Sequence, residues 1–307
     1  MATPPPSPFL RPLGVFESLG AAFRVYFSKA NSLFLIVAIF MIPSTIVSTL
    51  LIRSSLPPEL LNFDANSREN PFIGLSTAEI RQFITVIVLT GILMFVVSMI
   101  ATGACFRIVQ ESLAGRPADW QASVRAALAK TLSLIWVPLL VGLLFVGAAT
   151  LAIVVIGSLG AIQNGLGAIG AIALFGAVVY FFVAWSLAVP VLMAEDQRGW
   201  KALKRSRDLV SGSWWPTFGL YLVVFVIVAI VGGLLSAIFA PSGPGEQGVL
   251  LAVLGNIVNN IIFTPLQAAI VGVVYLNLAS RSPAGMAPGV PGGVLLPPPP
   301  PSIGEDV

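Results

Sequence analysis

The chain has 307 residues, of which 57% are hydrophobic and 9% charged, with a net charge of +3, and its mean hydropathy is +0.95. So few polar groups cannot coat a soluble globule of this length, so the composition excludes a water-soluble fold and predicts an all-α, polytopic integral membrane protein. Histidine is absent, which removes His-based triads, His metal sites and His proton relays together.

Residues 1–13 form a proline-rich tail, expected to be disordered or extended. No signal peptide is visible, because about 30 residues precede the first long apolar run. Gly14 to Asn31 then reads as an amphipathic helix, with Glu17, Arg24 and Ser28 on a narrow polar stripe and Phe16, Leu19, Phe23, Tyr26 and Phe27 over most of the rest. It leads into a first span, Ser32 to Ile52, whose 21 residues reach roughly 31 Å, enough for the hydrocarbon core. Pro43 in its middle predicts a kink or a loosened turn. The polar stretch Arg53 to Gln82 is the one sizeable external loop.

Phe83 to Phe106 is the second span, with Ser98, Thr102 and Cys105 on one side as small packing residues. Cys105 is the single cysteine and is expected as a packed thiol. In the loop that follows, Trp120, Val124, Ala127 and Leu128 recur at helical spacing. Leu132 to Gly157 is the third span, Ser158 to Ala168 a charge-free external turn, and Ile169 to Met193 the fourth span, with Pro190 near its inner end.

Glu195 to Pro216 holds eight of the 29 charged residues, five of them Lys or Arg. On a helical wheel Lys201, Lys204, Arg205, Asp208, Ser211 and Gly212 fill an arc of roughly 120°, opposite Trp200, Ala202, Leu203, Leu209, Val210 and Trp214. Such a helix lies flat at a membrane surface, with its cations toward headgroups and its indoles at interface depth. We call it an elbow. Lys201, Lys204 and Arg205, with Trp200, Trp214 and Trp215, are the expected contacts to anionic lipid, and no nucleic acid is expected. The fifth span, Phe218 to Ala240, carries a small-residue row of Gly232, Ser236 and Ala240. A turn, PSGPGEQG, leads to a last apolar run, Val249 to Ala279, long enough to tilt, kink at Pro265 or project. Residues 282–307 form a Pro/Gly-rich disordered tail, so the membrane domain is residues 14–281.

With the N-terminus inside, 13 of the 16 Lys and Arg residues fall on the elbow side and three on the other, which predicts both ends in the cytoplasm of a multi-pass cell-membrane protein. Phe16, Trp120 and Trp200 each open an amphipathic helix that runs into an odd-numbered span, at offsets of 104 and 80 residues. The chain therefore reads as three helical hairpins, each led by an elbow. All charged residues lie outside the spans, and no metal spacing or P-loop is present, so no catalytic residue, metal or cofactor is expected. The one polar constellation inside a span is Asn256, Asn260, Thr264 and Gln267, on one face of the last helix. It serves either as interhelical hydrogen bonding or as the lining of a cavity for a polar solute or headgroup.

Ala202-Leu203-Lys204-Arg205-Ser206-Arg207-Asp208-Leu209-Val210-Ser211-Gly212, followed by Trp214-Trp215 and Phe218-Gly219, resembles the elbow signature of the membrane domain found beside some bacterial glycerophosphoryl diester phosphodiesterases. Gly115-Arg116-Pro117 with Ala126-Ala127-Leu128, and Pro265 with Tyr275-Leu276-Asn277-Leu278, resemble the inner loop and closing helix of that family. Where the family often ends in Asp-Leu-Arg, this chain has Asn277-Leu278-Ala279. The resemblance implies packing roles for Ala202, Ser206, Leu209 and Gly212. It implies a membrane module without the catalytic barrel, for which the chain has neither length nor histidine. The expected function is a non-catalytic scaffold of a bacterial inner membrane, linked to lipid, to a lipid-processing membrane partner or to further copies of itself. The alternative is a passive transporter or lipid translocator that uses the amide strip.

Overall fold

A computed structural model describes residues 14–55, 75–162, 164–240 and 246–281. The two tails, most of the external loop and most of the PSGPGEQG turn lie outside these residues. Among the described residues there are ten helices and no strand. They are α1 (Val15–Ser28), α2 (Ala30–Ser55), α3 (Thr77–Leu113), α4 (Trp120–Ala129), α5 (Thr131–Ile162), α6 (Asn164–Trp185), α7 (Ala188–Glu195), α8 (Trp200–Ser211), α9 (Trp214–Ile238) and α10 (Glu246–Ala279). Six stretches are long and apolar enough to cross a membrane: Ala30–Ser55, Thr77–Leu113, Thr131–Thr150, Ala168–Glu195, Trp214–Ile238 and Leu250–Ala279. The protein is an all-α polytopic membrane protein.

The three elbows are α1, α4 and α8, each a short link away from the span it leads into. Lys29 alone joins α1 to α2 and Lys130 alone joins α4 to α5, both with φ near −110° and ψ near 10°. Gly212 and Ser213 join α8 to α9. Local chemistry fixes where these elements begin and end. Asp119 caps α4 by accepting from Gln121 and Ala122 N–H at 3.1 and 3.2 Å, and Ser76 with Glu79 forms a capping box at the start of α3. At the end of α3, Gly115 takes φ +66°. Its N–H reaches Ser112 O and that of Arg116 reaches Glu111 O, which is a Schellman ending.

Helix contacts form a closed ring. α4 rests mainly on α3, the return helix of the first hairpin, and α8 rests on α6 and α7, the return of the second. α1 rests mainly on α10, the return of the third. Each elbow thus seats on the hairpin before it, and the first seats on the last. α10 is the hub, packed on α2, α3 and α1, and two thirds of its apolar window is buried, against 6% for α9. Close approaches seat the hub on α3 and α3 on α5. A Cβ on Gly272 would lie 2.7 Å from Val109 Cγ1, and one on Gly103 would lie 2.8 Å from Leu134 Cδ1.

Among the described residues, every buried hydrophobic side chain lies in an elbow, at an elbow link, or in the elbow-side half of a helix, from Leu33, Ile36 and Met41 through Phe106, Leu187 and Leu203 to Tyr275. Side chains such as Ile84, Ile153, Phe175, Ile230 and Leu234 on the remote halves are open to their surroundings, as lipid-facing residues must be.

Two expectations need correction. The expected turn at Ser158 to Ala168 is mostly helical, since α5 runs to Ile162 and α6 starts at Asn164. The fourth span is not one helix: it breaks at Ser186 and Leu187, one turn before Pro190, whose missing N–H and ring disrupt the bond to the Ser186 carbonyl. The helices run unbroken through Pro43, Pro138 and Pro265.

Candidate functional site

The third elbow is built around that break. Ser206 is fully buried in α8. Its hydroxyl donates to Ala184 O at 2.7 Å and accepts from Leu187 N–H at 3.1 Å. One side chain thereby supplies partners to two of the backbone groups left by the break, as burial of a broken helix requires. Ala202, Leu203, Leu209 and Val210 bury the same face of α8. Gly212, expected among the packing residues, is exposed in the link with open space around it.

A charged network ties the elbow to the hub. Arg205 Nε donates to both Glu195 carboxylate oxygens at 3.3 and 3.0 Å, and the two side chains are only 16% and 14% exposed. Tyr275 OH on α10 donates to Glu195 Oε1 at 3.1 Å, and Gln197 Nε2 to Glu195 Oε2 at 3.2 Å. Arg205 therefore sits off the lipid-facing arc that the wheel gave it: Glu195, just before the helix, draws the guanidinium inward. Beside it, Lys130 Nζ ion-pairs with Asp196 at 2.8 Å and donates to Leu192 O and Met193 O at 3.4 and 3.5 Å, so the second elbow's link caps the end of α7. That hydrogen bond and charge hold the Asp196 carboxyl below its usual range, at a residue with φ +53°. The network residues Glu195, Lys130 and Tyr275 were missed in the sequence. The available signal was the single-lysine link that Lys29 and Lys130 share.

The outward face of the elbows is basic. Lys201, Lys204 and Arg207 are exposed on α8, Arg116 and Arg125 at α4, and Arg24 on α1. Trp200 and Trp215 stand 60% and 75% exposed beside them, as do Phe16 and Phe27 on α1. Trp214 instead stacks between Tyr180 and Phe218, with centroids at 5.9 and 5.2 Å. Arg207 was missed because the wheel placed it at the margin of the polar arc.

The amide strip divides. Asn260 Nδ2 donates to Asn256 O at 2.9 Å and to Asn256 Oδ1 at 3.0 Å, within one helix. Asn256 opens on a groove between α2, α3 and α10. Thr264 is half-buried. Gln267 faces a separate apolar cavity of about 520 Å³ beside the break in the fourth span, lined also by Trp185, Ser186 and Tyr221. Among the described residues no cluster of three His, Cys, Asp or Glu side chains could hold a metal.

A family described as Domain of unknown function (DUF8558) matches residues 10–278, and the chain belongs to it. No curated protein and no solved structure matches the chain.

Proposed function

We propose that this DUF8558 member is a non-catalytic scaffold of a bacterial cell membrane, with its elbows and both termini in the cytoplasm, that engages anionic lipid or a lipid-processing partner through the elbow face. The observation that carries this reading is the common exposure of Arg24, Arg116, Arg125, Lys201, Lys204 and Arg207 beside Trp200, Trp215, Phe16 and Phe27. Cations at headgroup depth with aromatics at the interface are what an anionic leaflet attracts. The resemblance of the elbow motif to that of the phosphodiesterase-associated membrane domain supports a place beside lipid metabolism; within that motif Ser206 and Arg205 hold the elbow in shape.

The experiment is lipid selection by the purified full chain, read by native mass spectrometry from mixed phosphatidylglycerol and phosphatidylcholine micelles. Replacing Lys201, Lys204 and Arg207 by Gln weakens the preference for phosphatidylglycerol by about 1 kcal/mol per charge. An unchanged preference rejects the lipid role. Cysteines placed at Lys204 and Asp64 label from opposite faces of the membrane, and labelling from one face rejects the orientation. Passive transport or lipid translocation is the second reading, favoured by the exposed amides of Asn256 and Gln267. Solute flux or lipid scrambling in liposomes separates the two, since a scaffold carries neither.

A further inference from the structure

The groove that Asn256 opens on has about 500 Å³, in the range of about 300–1,000 Å³ usual for small-ligand sites. It lies in the half of the bundle remote from the elbows, lined by Thr45, Ser48, Thr49 and Arg53 of α2, Thr90 of α3 and Asn256 of α10, with Ile52, Ile87, Met94 and Val253 as apolar walls. The buried side chains of α2 and α3 in that half are Ser44, Thr45, Ser48 and Thr90, every one a hydroxyl. A membrane protein that hides hydroxyls there, and leaves its large apolar residues outside, has placed polar groups where they are expensive.

Neighbouring hydroxyls show the usual remedy. Ser44 donates to Phe40 O at 2.7 Å, Thr49 to Thr45 O at 2.8 Å and Thr90 to Val86 O at 2.7 Å, each bonding back one turn along its own helix. Thr45 and Ser48, only 5% and 6% exposed, do not: among the described residues their hydroxyls have no partner. Across the groove, Asn256 Oδ1 already accepts from Asn260, so the Asn256 amide has its N–H groups to offer. The half-buried Arg53 adds a guanidinium, and among the described residues no carboxylate lines the groove. Guanidinium, amide N–H and two uncommitted hydroxyls form a donor set with no acidic competitor among the described residues, which is the chemistry that binds phosphate oxygens.

We infer that this groove binds the phosphate-ester head of one anionic phospholipid in the leaflet remote from the elbows, its chains lying on Ile52, Ile87, Met94 and Val253. Arg53 takes the phosphate and Asn256 joins its shell; the two hydroxyls, whose oxygens are closed off in this structure, complete it by turning toward the groove, and the apolar walls distinguish a lipid from a soluble phosphate. The inference does not depend on the elbow reading, which concerns the opposite face.

The test uses the full chain and native mass spectrometry, with phosphatidylglycerol as probe. Thr45→Val with Ser48→Ala keeps the packing and removes the hydroxyls; Arg53→Gln with Asn256→Leu removes the charge and the amide. The wild type retains one phosphatidylglycerol through mild activation. The hydroxyl variant lowers that occupancy several-fold and the Arg53/Asn256 variant at least tenfold, while the elbow triple variant keeps this lipid. Inorganic phosphate at millimolar concentration does not displace it. Occupancy equal to wild type in both groove variants, with an unchanged unfolding midpoint to show that they are folded, overturns the site. Displacement by inorganic phosphate alone overturns the lipid as its source.

Discussion

The two halves of this bundle are built on different principles. The elbow side is packed as a water-soluble core is packed: apolar side chains buried to completion, a hub helix seated on glycine contacts, and polar side chains matched to broken backbone. On the remote side α5, α6 and α9 are apolar on all faces, with few side chains buried against one another. The difference follows from the solvent. In lipid there is no hydrophobic drive to bring apolar helices together, so cohesion comes from close packing and polar contacts. These are concentrated where the elbows supply them. Stability should therefore respond to substitutions on the elbow side and be nearly indifferent to those on the remote lipid faces. Cys105 gives a native readout, since it is the chain's single cysteine and is fully buried in the packed half. A thiol-reactive fluorophore reports its release on heating.

The largest loss is expected at Arg205. Arg205→Met leaves the Glu195 carboxylate largely buried, with Tyr275 and Gln197 as its remaining hydrogen-bond donors, and lowers stability by about 3 kcal/mol. Glu195→Gln combined with Arg205→Met recovers part of it, because the stranded charge is gone. If the single variant melts with wild type, the charged network does not organise the elbow side.

Ser206→Ala comes next. It leaves Ala184 O and Leu187 N–H without the hydroxyl that serves both, for a loss of about 2 kcal/mol. Ser206→Thr keeps the hydroxyl but adds a methyl group at a fully buried position, so it distinguishes lost hydrogen bonding from lost space. A midpoint for Ser206→Ala within error of wild type would mean that the break in the fourth span is satisfied by other groups.

The same contrast decides what could be read from the sequence. Helices, their order, the three elbows and the six spans were legible because amphipathic period and unbroken apolar length are properties of single segments. The ring of elbows was not, since it depends on which apolar face meets which, and α5, α6 and α9 are apolar on all of theirs. Arg205 shows the limit of a wheel: it gives the side of a helix on which a residue stands, while a carboxylate ten positions earlier decides where the charge goes. The break at Ser186 needed two facts together, a proline four residues on and a serine on another helix, and only the first is local. Thr45 and Ser48 read as ordinary small residues of a span. Their missing partners exist only as a relation between three helices.

The smallest effect sharpens the comparison most, because it uses one chemical change in two places. Gly272 and Gly233 both lie within spans, on α10 and α9. A methyl group at Gly272 would meet Val109 Cγ1 at 2.7 Å, and Val109 is fully buried and β-branched, so it cannot turn aside. At Gly233 the added carbon meets nothing within 4 Å. Gly272→Ala should therefore cost about 1 kcal/mol as α10 is pushed from α3. Gly233→Ala should stay within about 0.5 kcal/mol of wild type, or gain slightly because alanine is the better helix former. Equal losses at the two sites would show that the remote side is held together as tightly as the elbow side, by contacts between protein and something other than lipid.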